Sequence, residues 1–114
     1  MQAMSVPREL PPLGSLVEVM QGRDAGLVAV VIGHLEDRFI LVADGSVRRA
    51  DKPKKKNVLH VRRLSHIAGE VAEKLRIDGK VTNALLRHTV RMFLEERLAA
   101  ANQRDQGGAF HGEG

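Results

Sequence analysis

Apolar and polar positions change period once along this chain. Between residues 14 and about 64 they alternate in short runs, and beyond Ile67 they recur every three or four residues. Alternation over four to eight residues predicts half-buried strands, whereas a three-to-four spacing predicts amphipathic helices. Leu16, Val17, Val19 and Met20 mark a first strand over residues 16–20. Gly22 and Gly26 then bracket a tight loop, because glycine enters positive φ without a steric penalty. A second strand over 27–32 is rich in valine and ends at Gly33. The polar pair Glu36-Asp37 leads to a third strand over 38–43. Asp44-Gly45 reads as a hairpin turn, with residues 46–50 returning as a fourth strand. The run from Asp51 to Asn57 contains Pro53 and no apolar residue and reads as a loop. Residues 58–64 resume the alternation as a fifth strand, with Val58, His60 and Arg62 opposite Leu59, Val61 and Arg63.

Five short strands at this spacing fit a small closed barrel better than a sandwich. The predicted interior is Val17, Val19, Val30, Ile32, Leu41 and Val61, with Phe39 also in the core; a slip of one residue would exchange the faces. Ile67, Val71 and Leu75 then predict a short helix that Asp78-Gly79 breaks. Thr82 caps a second helix running to about residue 101, with Leu86, Val90, Phe93 and Leu94 as its apolar stripe. The expected organisation is a flexible lead over 1–13, a barrel over 14–64, a helical extension over 65–101 and a disordered glycine-rich tail over 102–114. The fold class is therefore mainly β with an α appendage. The second and third strands are apolar on both faces, so something must cover the barrel's outer wall. The two helices are the nearest candidate, with a dimer partner or a ribosomal surface as the other possibility.

Charge changes the picture more than composition does. Residues 48–63 hold eight basic side chains against Asp51 alone, a balance of +7, while residues 1–47 total −3 and residues 64–114 are neutral. Like charges gathered this closely repel one another, and become favourable when phosphates neutralise them and release counterions. No cysteine is present, which excludes disulfides and thiol chemistry. The five histidines are scattered without helical ligand spacing, and no Ser–His–Asp pattern or apolar-set carboxylate pair is in reach. Neither an enzyme, a metal site nor a cofactor is expected. No apolar run approaches the roughly 20 residues of a membrane span, and the start lacks a signal-peptide pattern, so the expected compartment is the cytoplasm with no membrane partner.

The candidate binding residues are accordingly Gly22, Arg23, Asp24 and Gly26 in the first loop, then Arg48, Arg49, Lys52, Lys54, Lys55, Lys56, Asn57, His60, Arg62 and Arg63. With three phenylalanines and no tyrosine or tryptophan, base stacking has few platforms. Recognition of folded RNA through phosphates and shape is favoured. The Gly22–Gly26 loop lacks a following Gly-Lys-Ser or Gly-Lys-Thr and is not a nucleotide-hydrolase phosphate loop.

The alternating Val17 and Val19, the loop Gly22-Arg23-Asp24-Ala25-Gly26 and the valine-rich strand after it resemble a KOW motif. Lys52-Pro53-Lys54-Lys55-Lys56-Asn57, His60 and Gly79-Lys80-Val81-Thr82-Asn83 resemble the small bacterial KOW-domain RNA-binding proteins, which are related to KOW-type large-subunit ribosomal proteins of archaea and eukaryotes. The resemblance covers about residues 14–98. It implies an SH3-like barrel that binds RNA, ribosomal RNA above all, with ribosomal proteins as further partners. The chain departs from that pattern at Ala25 and Leu27, where such loops carry extra basic residues. It departs again at Ala84 and Leu85, where acids usually follow the Thr-Asn pair. A protein-interaction adaptor using the barrel or the helical tail, as KOW modules of transcription elongation factors can do, is the alternative reading.

Overall fold

The computed structural model describes the backbone of residues 9–113 and the side chains of residues 9–102. Five antiparallel strands form one sheet: β1 (Ser15–Val19), β2 (Val28–Leu35), β3 (Phe39–Ala43), β4 (Lys54–Asn57) and β5 (Val61–Ile67). Their order is β4-β3-β2-β1-β5. The hydrogen-bonded ladder runs from β4 to β5 without joining its two ends. Two helices follow, α1 (Gly69–Asp78) and α2 (Asn83–Glu113). The chain is thus mainly β with a helical appendage.

The two-sided apolar strands are explained by two separate cores. On one face Leu16, Val30 and Ala43 pack against Val71, Val81, Leu86 and Phe93 from the helical region. On the other, Val17, Ala29, Val31, Ile40 and Val42 form a second cluster, flanked by Leu10, Leu13, Leu27 and Val61. The helices therefore cover one wall of the sheet. The expected interior is correct for Val17 and Val61, and Val19 is fully buried as expected, but the reading slips by one residue on β2 and β3. Val30 and Ile32 belong with the helix-covered cluster, and Ile40 and Val42 take the place of Leu41. A one-residue shift exchanges every side chain between faces.

Several expected boundaries move for local reasons. Gly33 does not end β2: it lies in the strand, at a register shift between Val31 and Gly33. A Cβ there would stand 2.9 Å from Leu41 Cδ1, so glycine lets Leu41 lie over the strand. Residues 46–50 do not form a strand. The Asp44 carboxylate accepts the N–H groups of Ser46 (3.1 Å) and Arg48 (2.7 Å), which bends the backbone away from a ladder. The partner of β3 is instead β4, made from the basic run expected to be a loop, with Lys54 opposite Val42 and Asn57 opposite Phe39. Phe39 is only half-buried and lies outside both cores.

Residues 1–8 of the expected flexible lead lie outside the described residues. From Leu10 the chain is packed: Pro11 is buried, and His34 Nε2 donates to its carbonyl at 2.7 Å. Gly79, at φ +75, caps α1 through its N–H to Leu75 O. The Thr82 hydroxyl accepts the Leu85 N–H at 3.1 Å and caps α2 as the sequence predicts. The helix then continues past residue 101 into the stretch read as a disordered tail. Residues 102–106 contain no proline, and an established helix propagates one residue at a time even through weak formers.

Candidate nucleic-acid interface

The basic run is held on an edge strand by backbone pairing to β3. Lysine suits such an edge because its charge opposes pairing with another chain. Opposed residues of an antiparallel pair share a face, so Lys54 and Lys56 stand on the side of Val42 and Ile40, with Lys55 on the other beside Leu41. Lys55 Nζ sits 4.6 Å from the centre of the Phe39 ring. Sequence reading assigned that ring to the core. Its place is at the half-buried start of β3, where the π-face holds a cation from the edge strand.

The glycine loop between β1 and β2 closes onto this strand. Gly22 and Gly26 adopt φ +92 and +95, as two short turns in the loop require. Lys56 Nζ lies 3.5 Å from Gln21 O, and a Cβ at Gly22 would meet that same ammonium at 3.2 Å. The two segments that the sequence singled out, about thirty residues apart, thus share one surface.

Asp24 links them further. Its carboxylate accepts from Arg48 Nε at 2.7 Å and from Nη2 at 3.1 Å. The Asp24 side chain is 7% exposed and that of Arg48 28%. The Arg48 hydrogen bond holds the Asp24 carboxyl below its ordinary value, with added attraction from Arg48, Lys56 and Lys54. Asp24 and Arg48 are therefore committed to each other and position the loop against the segment before β4. Among the described residues, no carboxylate lies within 4 Å of Lys54, Lys55 or Lys56, and the acid whose charge reaches Lys54 and Lys56, Asp24, is already paired with Arg48.

The remaining candidates divide. Arg23 and Lys52 are exposed, and Arg49 stands 3.6 Å from Asp51 in the connection leading to β4. Asn57 has a local role: its side chain accepts the Leu59 N–H at 2.9 Å and starts the 3-10 turn Val58–His60. His60 is half-buried, and its carbonyl accepts the Met20 N–H. Arg62 pairs with Glu18 across the strands at 2.5 Å. Arg62 and Arg63 lie on β5, at the opposite end of the strand order from the lysines. Among the described residues no group of three or more His, Asp or Glu is placed to hold a metal ion, and no helix is long and apolar enough to cross a membrane.

No family model matches the chain. It is similar to the "Putative ribosome-binding protein YbzG" of Bacillus subtilis (strain 168), with 32% identity over 71 residues. The match spans 96% of that protein and 62% of this chain. The chain belongs to the YbzG family. More than a third of this family member lies outside the match. What sequence reading missed in the site is the Asp24–Arg48 pair and the Phe39–Lys55 contact. Each joins residues far apart in the chain, and no local pattern encodes either.

Proposed function

We propose that this chain is a non-catalytic, cytoplasmic RNA-binding protein that associates with the ribosome. In this reading its sheet is an SH3-like barrel of the KOW type, with the 3-10 turn Val58–His60 carrying the chain between the two end strands. The observation that carries the proposal is the β4 edge. Three successive lysines are fixed on a strand, next to a glycine loop, with no carboxylate partner among the described residues. Such an arrangement costs self-repulsion in the free protein and is relieved by a phosphate backbone. Lys54, Lys55 and Lys56 take the phosphates, with Arg23, Arg49 and Lys52 flanking them. Gly22 and Gly26 allow close approach of an RNA strand. The name of the YbzG relative supports the ribosome as the partner, and the charge of the β4 edge favours its RNA.

Cosedimentation with purified bacterial ribosomes at rising salt tests this. Phosphate-mediated association falls steeply between roughly 50 and 200 mM salt. Association that persists unchanged over that range contradicts it. One observation favours a protein partner as a second reading. Leu94 and Leu98 of α2 are 45% and 62% exposed and line a groove of about 450 Å3 with Val90 and Arg91. A ribosomal protein seated there would be insensitive to salt.

A further inference from the structure

β5 does not run straight against β1. Ser15 pairs with Ile67 and Val17 with Arg63, so two steps along β1 are matched by four along β5. The surplus is a bulge over residues 64–66, and at its centre Ser65 has φ +57. A serine in the left-handed region is disfavoured and persists only where its surroundings fix it. Bulges re-aim the side chains beside them. Here the His66 ring lies 5.3 Å from the Phe93 ring of α2, with the planes inclined by 53°. Arg97, one turn further along α2, sets its guanidinium 5.4 Å from the centre of the same ring. Phe93 is 6% exposed and anchored in the helix–sheet core, so it is a fixed base for both groups.

Arg62, Arg63, Ser65, His66, Phe93 and Arg97 line one hollow of about 340 Å3. Three arginines and an imidazole are among the residues that line it, from two elements. Arg62 is paired with Glu18, but among the described residues no carboxylate lies within 4 Å of Arg63 or Arg97. Forked guanidinium donors match the oxygens of a phosphate. In the chain, β5 follows β4 directly after the turn Val58–His60.

We infer that the β5–α2 hollow is a second RNA contact, in which Arg63 and Arg97 hold a backbone phosphate and His66 packs beside it. This rests on the RNA-binding reading above. His66 and Arg97 lie outside the basic stretch, so charge counting along the chain does not find them.

The test measures binding to purified bacterial ribosomal RNA over a range of salt for the wild type, R63Q/R97Q and R63K/R97K, with thermal melts alongside. R63Q/R97Q is expected to lower the slope of log affinity against log salt by about one unit and to weaken low-salt binding about tenfold. R63K/R97K, which keeps the charge, is expected to retain most of the slope. R97Q alone leaves β5 untouched and gives a smaller change in the same direction if the double variant melts early. If R63Q/R97Q binds with wild-type affinity and slope, the hollow is not an RNA contact, and the β4 site stands. A wild type that shows no salt-dependent RNA binding overturns the RNA reading and this inference with it.

Discussion

Gly45 is where α2 meets the segment that carries Arg48, and replacing it by alanine tests how that segment is held. Gly45 has φ +85, and a Cβ there would stand 2.3 Å from Asn83 O and 3.0 Å from Arg87 Cγ. The same region holds two hydrogen bonds: Arg87 Nη1 donates to Gly45 O at 2.8 Å, and the Ala50 N–H to Asn83 Oδ1 at 2.7 Å. Gly79 supplies the control. It has φ +75, but nothing lies within 4 Å of its Cβ position. Gly79→Ala should therefore cost only the left-handed backbone term, about 1–2 kcal/mol. Gly45→Ala carries that term and must also push back the first turn of α2. Breaking or distorting two hydrogen bonds adds about 1 kcal/mol each. The expected difference between the variants is thus about 2 kcal/mol. In a domain of this size that is about 8–16 °C in Tm. Thermal and urea unfolding of both variants under identical conditions measure it. Equal destabilisation would refute the docking of α2 on Gly45.

Other substitutions probe separate parts of the molecule. Leu86→Ala empties a fully buried position in the helix-covered cluster and should cost about 2–5 kcal/mol in urea unfolding; a cost below about 1 kcal/mol would mean that the helices do not shield the sheet. Asp24→Asn should lower Tm and, by freeing Arg48, steepen the salt dependence of RNA binding. Weaker binding by a variant that remains folded would instead mean that the pair's hold on the loop outweighs the freed Arg48 charge. The Asp24 carboxyl is held below its ordinary value of 3.8, so its contribution to stability is present above that value and disappears as pH falls through the depressed one. Melts of the wild type and Asp24→Asn from pH 7 down to about pH 2 should therefore converge at the acid end, and curves that stay parallel would contradict this.

Much of the fold is legible in the sequence because each signal is local. The valine runs of β1 and β2, the glycines of the first loop, Gly79 at the end of α1 and Thr82 at the start of α2 all act over a few residues. The two-sided apolar strands likewise announce a covered wall, which the helices supply. The errors are non-local. Lys54-Lys55-Lys56-Asn57 has no apolar alternation, yet it forms a strand because the open edge of β3 needs backbone partners. Ser46 to Ala50 looks better suited to a strand, but the Asp44 carboxylate and the packing of Gly45 on α2 claim that backbone. The candidate site follows the same division. Its charge is visible by counting, whereas the closure of the Gly22–Gly26 loop onto Lys56 depends on the sheet.

The central claim is that the β4 lysines hold phosphates, and its most direct test is a salt titration of RNA affinity. Lys52, Lys54, Lys55 and Lys56 are replaced together by glutamine, which keeps much of each side-chain stem and removes the charge. None of the four belongs to either core, so the melt of the variant should stay close to that of the wild type. Its affinity for ribosomal RNA should fall across sequences alike, and the slope against log salt should flatten by roughly one unit for each phosphate that no longer has a lysine partner. A variant that folds normally and binds ribosomal RNA with unchanged affinity and unchanged slope would contradict the account.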